Sequence, residues 1–191
     1  MKALEEKILK EGTVLPGNIL KVGSFLNQQI DAAFLMEMGK EIARLYENDG
    51  ITKVLTIEAS GIAIALAAAA QMNVPMLFAK KTQTLNQSGD IYTAKVKSYT
   101  HGKVYDIVVP KEYLLPGDRI LIVDDFLASG EAVQGMVEIC RQAGAVVEGI
   151  SCAIEKAFQG GGDDLRKAGY KVESLAMIQS MEGNKISFRQ D

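Results

Sequence analysis

Ile120-Leu-Ile-Val-Asp-Asp-Phe-Leu-Ala-Ser-Gly-Glu-Ala-Val133 is the stretch on which the fold turns. The run from Arg119 to Val123 is of the continuous apolar kind that forms a central parallel strand, covered on both faces. Two adjacent carboxylates, Asp124 and Asp125, are expected to end it abruptly. Small residues follow, and Ala132, Val133, Met136, Val137, Cys140 and Ala143 then mark one face of a helix that stops at Gly144. The turn Ala128-Ser129-Gly130-Glu131-Ala132 lacks bulky side chains where a backbone must approach a ligand. Its N–H groups open a helix whose dipole favours an anion. Ser129 adds a hydroxyl donor, and Gly130 admits backbone angles closed to other residues. A phosphate monoester fits such a turn. The two acids just before it set acceptors about one sugar width away, suited to vicinal ribose hydroxyls or to waters on a magnesium ion. An isolated Asp-Asp more often caps a helix or solvates a loop. Here the pair sits at the carboxyl edge of a parallel sheet, where ligands of α/β folds bind, with an anion cradle directly after it. No Gly-Lys-Ser or Gly-Lys-Thr supports a P-loop, and no Gly-x-Gly-x-x-Gly supports a dinucleotide fold.

Working outward, Thr52 to Ile57 reads as a strand, Gly61 to Met72 as a helix and Val74 to Ala79 as a second strand, a right-handed βαβ unit. Before it, Phe34, Leu35, Met38, Ile42, Leu45 and Tyr46 recur at helical spacing behind a cap at Asp31, and Asp49-Gly50 ends that helix. Past it, the polar stretch Lys80 to Asp90 gives way to Ile91–Thr100 and Lys103–Val109. These alternate around His101-Gly102 as a two-stranded ribbon, read as an excursion from the sheet. Pro116-Gly117-Asp118 is a turn, and Val146 to Ala153 is the strand after the anion-binding helix. Gly160-Gly161-Gly162 leads to a short helix from Asp163 to Ala168, then to extended segments at Tyr170–Ile178 and Lys185–Phe188. With no internal repeat and no linker, residues 1–191 are expected to form a single α/β domain, a central parallel sheet flanked by helices.

Composition agrees with a packed globular domain: 191 residues, 48% hydrophobic and 24% charged. At this length roughly 70% of the unfolded surface can be buried, so packing alone suffices for stability. The 21 basic and 24 acidic residues give a net charge of −3 without runs of like charge, which argues against a nucleic-acid-binding surface. Cys140 and Cys152 sit in apolar runs and read as reduced core residues. The single histidine, His101, excludes most zinc sites and any Ser-His-Asp triad that needs a buried histidine. The opening MKALEEKILKEG reads as a surface helix rather than a signal peptide, and the apolar stretch Gly61–Ala70 is too short to cross a bilayer. A cytoplasmic location away from membranes is expected.

The segment Val123-Asp-Asp-Phe-Leu-Ala-Ser-Gly130 resembles the phosphoribosyl-pyrophosphate (PRPP) motif of type I phosphoribosyltransferases, a specific signature. The similarity extends over nearly the whole chain, through Leu20-Lys-Val-Gly-Ser-Phe-Leu-Asn-Gln-Gln-Ile-Asp31, Thr56-Ile-Glu-Ala-Ser-Gly-Ile62 and Ile154-Glu-Lys-Ala-Phe158. It points to bacterial members that use xanthine. The chain departs from the family pattern at Gly23, where the family carries an acidic residue, and conservatively at Ser129. The resemblance implies that xanthine displaces pyrophosphate from magnesium-bound PRPP, the ion being carried by the donor rather than by a dedicated protein cage. It assigns the 5′-phosphate to Ala128, Ser129, Gly130, Glu131 and Ala132, and turns the acids Asp124 and Asp125 toward the ribose. Leu20, Asn27 and Lys156 are placed on the purine. The pyrophosphate loop corresponds to Ala59-Ser60-Gly61, with a basic residue at Lys80 or Lys81. A hood over residues 12–30, a flexible β-ribbon loop over 82–109 and a homodimer are also implied.

Elementary chemistry fits these roles. Departing pyrophosphate leaves positive charge on the ribose ring, so positioning and electrostatics suffice without a nucleophilic side chain. Lys81 can neutralise the leaving group, or be a solvated strand-end lysine. Lys156 interrupts an apolar stretch, and an ammonium donating to a 6-oxo group selects 6-oxopurines over adenine. Phe158 either stacks on the base or belongs to the core, and Glu155, pointing the other way, is read as structural. Asn27 offers the donor and acceptor that suit a 2-oxo edge. Ser98-Tyr99 is either an edge strand or a pair that reaches the site on closure. Competing readings are a transferase for adenine or for hypoxanthine and guanine, and a non-catalytic PRPP-sensing regulator. The regulator would need an added DNA-binding module, which the acidic balance suits poorly.

Overall fold

The computed structural model describes residues 1–82, 90–97, 104–182 and 185–189. In chain order these form α1 (Lys2–Glu11), the hairpin β1 (Thr13–Leu15) and β2 (Ile19–Lys21), and a π-helical turn at Gly23–Asn27. Then come α2 (Ala32–Leu45), β3 (Lys53–Ile57), α3 (Gly61–Met72), β4 (Met76–Thr82), β5 (Ile91–Lys97), β6 (Val104–Pro110) and β7 (Arg119–Leu127). The chain closes with α4 (Glu131–Ala143), β8 (Val146–Lys156), α5 (Gly161–Lys167), β9 (Val172–Glu182) and β10 (Lys185–Phe188). Eight strands make one sheet in the order β10-β9-β8-β7-β3-β4-β6-β5. The five from β9 to β4 run parallel, and antiparallel strands close both edges.

Apolar side chains fill two layers. On one face α1, α2 and α3 cover Val54, Leu121, Val123 and Ile154; on the other, α4 and α5 cover Leu55, Ile120, Ile122 and Ile150. The alanine-rich α3 is apolar all round because α2 lies almost on its backbone: a Cβ at Gly39 would stand 2.6 Å from the carbonyl carbon of Ala67. Asp31 caps α2 through Phe34 N–H, as its sequence position predicts. Cys140 and Cys152 are buried free thiols; burial pushes Cys140 up to about 12 and raises Cys152 as well. No helix among the described residues is long and apolar enough to cross a membrane.

Two expectations are corrected. The strand carrying the acids does not stop at them, because β7 continues to Leu127. Its ladder with β8 pairs Asp124 with Cys152, Phe126 with Ile154 and Leu127 with Glu155. Backbone hydrogen bonding to a longer neighbour, 11 residues against 9, outlasts the apolar run. The ribbon, likewise, is built into the sheet rather than standing off it. β6 pairs with β4, Lys80 opposite Val108, and Val96, Ile107 and Val109 are buried in the core beneath α4. Gly135 of α4 leaves the space, since a Cβ there would lie 2.5 Å from Val96 Cγ2. Residues 83–89 and the expected Ser98-Tyr99 and His101-Gly102 positions lie outside the described residues.

Candidate active site

The site opens at the carboxyl ends of β3, β7 and β8. Asp124 and Asp125, only 7% and 6% exposed, leave the buried part of β7 beneath the start of α3. Asp125 accepts hydrogen bonds from Asn27 Nδ2 at 3.2 Å and Ser60 Oγ at 3.1 Å, which joins the π turn and the β3–α3 loop at one carboxylate. Asp124 Oδ1 accepts from the Asp125 N–H at 2.9 Å. Burial first, and then the adjacent Asp125 carboxylate, raise the Asp124 pKa well above the usual range. Gly61 makes this approach possible: a Cβ there would overlap Thr56 Oγ1 and stand 2.7 Å from Asp124 Oδ1. Thr56 Oγ1 is itself buried with no partner among the described residues.

Beyond the acids the chain turns through Gly130, at φ 84°, into α4, which begins at Glu131. Ala128, Ser129, Gly130, Glu131 and Ala132 line a cavity of about 240 Å³ together with Lys81, Tyr105 and Phe126. The expected anion cradle and the expected basic residue therefore share one space. Lys81 is anchored through its backbone N–H, which donates to Glu58 Oε1 at 2.6 Å, while its ammonium lies 5.4 Å from the Tyr105 ring centroid. Burial, with Asp124 nearby, raises the Tyr105 pKa. Asn27 and Ser60 line a second cavity of about 330 Å³ with Leu26, Ile30 and Ala59.

Lys156 ends β8. Its ammonium donates to the backbone carbonyl of Asn18 at 2.9 Å, in the turn of the β1–β2 hairpin, and lies 5.6 Å from the Phe126 ring centroid. Partial burial lowers its pKa from the ordinary lysine value. That tie brings the hairpin carrying Leu20 to the sheet edge. Leu20 itself is buried, and Phe158, in the 3-10 turn Ala157–Gln159, packs partly buried against the same core layer. Glu155 is fully buried in a two-pronged ion pair with Arg166, as its structural reading expects.

Sequence reasoning missed Phe126, Tyr105, Glu58 and Asn18. Phe126 alone carried a signal, since strand alternation past Asp125 would have set it beside Ile154 and toward Lys156. Among the described residues no three His, Cys, Asp or Glu side chains converge on a point. The Asp124–Asp125 pair offers hard oxygen donors of the kind magnesium takes, with other ligands left to substrate and water.

The phosphoribosyl transferase domain model matches residues 27–181. Xanthine phosphoribosyltransferases of Bifidobacterium adolescentis and Lachnoclostridium phytofermentans are 52% and 50% identical to this chain. The matches cover 99% and 100% of it and 100% of each relative. Among solved structures, adenine phosphoribosyltransferase of Rhodothermus marinus superimposes with a TM-score of 0.74 at 18% identity, over 93% of this chain and 100% of that one. The Trypanosoma brucei adenine enzyme, complexed with AMP, pyrophosphate and ribose-5-phosphate, gives 0.73 at 16% identity, over 91% and 79%. At that identity the two structures speak for the fold.

Proposed function

The chain belongs to the phosphoribosyl transferase family, and we propose that it transfers the phosphoribosyl group of PRPP to xanthine, giving xanthosine monophosphate and pyrophosphate. The observation that carries this reading is the junction at Asp125, where the expected catalytic acid, base-binding Asn27 and pyrophosphate-loop Ser60 meet within hydrogen-bond distance. About half of all residues are shared with xanthine-named relatives over their full length, which supports the choice of base.

In this reading the α4 N-terminus and the loop 128–132 hold the 5′-phosphate, and Asp124 and Asp125 accept the ribose hydroxyls. The unprotonated imidazole nitrogen of xanthine gives its lone pair to C1′ as the C1′–O bond to pyrophosphate breaks, and the proton on the ring's other imidazole nitrogen then passes to the departing pyrophosphate or to water. Positive charge on the sugar grows beside two buried acids, a preorganised arrangement that lowers the barrier without a covalent intermediate. Lys81 and Ser60 face the departing pyrophosphate. Lys156 donates to the 6-oxo group and Asn27 meets the 2-oxo edge, while Leu20 and Phe158 supply apolar walls. Magnesium would be carried by donor oxygens and water and would neutralise diphosphate charge, with Asp124 and Asp125 accepting from its water shell rather than caging it. The hairpin and π turn over 12–30 act as the hood over the base and shield it from water. A homodimer and a cytoplasmic location belong to the same reading.

Incubation with PRPP, magnesium and each of xanthine, guanine, hypoxanthine and adenine tests the assignment. Xanthosine monophosphate is expected to form fastest, and equal or better use of adenine overturns the choice of base.

A further inference from the structure

The glycine run at 160–162 is more than a turn. Gly161, the first residue of α5, donates its N–H to the Ala128 carbonyl at 3.1 Å. A Cβ on Gly161 would overlap Ala128 O and lie 2.5 Å from Ser129 C and 2.6 Å from Gly130 N, all backbone atoms of the phosphate loop. From the other side, Gly162 lies against Glu155, where a Cβ would overlap Oε1 and stand 2.5 Å from Cδ. Glu155 holds Arg166 of the same helix at 2.9 and 2.8 Å and also accepts from Ser174 Oγ. The start of α5 is therefore wedged between the loop and a buried ion pair and has no room to retreat. Glu155 also pairs across the ladder with Leu127, the last strand residue before the loop. Its neighbour Lys156 leaves the strand on the opposite face.

We propose that Gly161 and the Glu155–Arg166 pair are positioning residues for the phosphate loop, setting how well it grips the 5′-phosphate of the donor independently of the base. The proposal rests on the assignment of that loop to the donor phosphate. If α5 cannot move, a side chain at 161 displaces the loop at Ala128–Gly130, the backbone it would overlap. Gly160 provides the matched control. Its φ is +82°, so alanine there is strained, yet a Cβ at 160 meets nothing within 4 Å.

Gly161→Ala and Gly160→Ala are compared with wild type in steady-state kinetics and in titrations with ribose 5-phosphate and with pyrophosphate, alongside thermal melts. Gly161→Ala is expected to raise KM for PRPP about tenfold or more and to weaken ribose 5-phosphate equally, as a loop misplaced by a fraction of an ångström should. Xanthine KM and pyrophosphate affinity should stay within about twofold. Gly160→Ala should lower the melting temperature while leaving every KM unchanged. If Gly161→Ala does not accumulate folded, Arg166→Lys, which keeps the charge but loses the fork, should give the same split at smaller amplitude. Wild-type PRPP affinity in the folded Gly161→Ala or Arg166→Lys protein, or equal losses toward all ligands, overturns the proposal. Wild-type protein that binds neither PRPP nor ribose 5-phosphate instead overturns the assignment of the loop.

Discussion

Residues 124–132 and residues 13–27 border the same site, but they are held in place by different means. The first region is one uninterrupted stretch of buried strand, turn and helix, fixed by ladder bonds to β8 and by the start of α5. The second is a short hairpin and a π turn fastened from outside by side chains: Lys156 on the Asn18 carbonyl, Asn27 on Asp125, and Lys7 beneath Phe25 and Phe34. Backbone ladders define positions to fractions of an ångström and tolerate little change. Side-chain ties can be removed one at a time. Damage to the first region should therefore stop transfer to every base, whereas damage to the second should alter which base is used and how tightly.

Asp125→Asn tests the first half of that contrast most severely. It removes the charge facing the ribose while keeping the shape, and kcat should fall about 100-fold with every base tried. A loss confined to xanthine would erase the distinction between the regions. Gly61→Ala probes the same region through stability. Forcing a Cβ between Thr56 Oγ1 and Asp124 should cost about 1–3 kcal/mol in denaturant unfolding. An unchanged midpoint would mean that α3 can lift away from the acids. In the second region, Lys156→Ala should lower kcat/KM for xanthine about tenfold while KM for PRPP holds. Steady-state kinetics with each substrate varied would show it, and a matching loss toward PRPP would mean that hairpin and loop act as one unit.

The same contrast explains what could be read from the sequence. The βαβ unit, the cap at Asp31, the stop at Gly144 and the turn through Gly130 into α4 all rest on local patterns, and each stands where those patterns put it. The continuation of β7 was hidden because buried acids inside a strand contradict the usual burial of carboxylates, and only the length of β8 reveals it. The ribbon's place in the sheet depended on an antiparallel partner, β4, that alternation alone does not name. The hood ties were illegible for a simpler reason. Lys156 and Asn18 are 138 residues apart, and Asn27 and Asp125 are 98 apart, so no local spacing joins them. Gly161 was visible as a glycine, but glycine chosen for space and glycine chosen for φ look alike in sequence.

Lys7 gives the smallest and most discriminating test, because it touches no part of the site. Its ammonium sits 5.4 and 5.1 Å from the Phe25 and Phe34 ring centroids, donates to Asp31 at 2.9 Å and pairs with Glu11 at 3.2 Å. It thus pins the turn that ends in Asn27 against the start of α2. Lys7→Met keeps the apolar stem and removes the charge, and should raise KM for xanthine roughly threefold with KM for PRPP unmoved. The tie also has a pH signature. The hydrogen bond from Lys7, and then the one from Phe34 N–H, lower the Asp31 pKa below its ordinary 3.8. A carboxylate with a lowered folded pKa contributes fully above its unfolded value, and that contribution is lost as pH falls through the folded one. In wild type the xanthine KM should therefore begin to climb only below the usual aspartate range, and Lys7→Met should lack that acid rise. An identical acid limb in the two proteins would mean that the π turn holds Asn27 without help from α1.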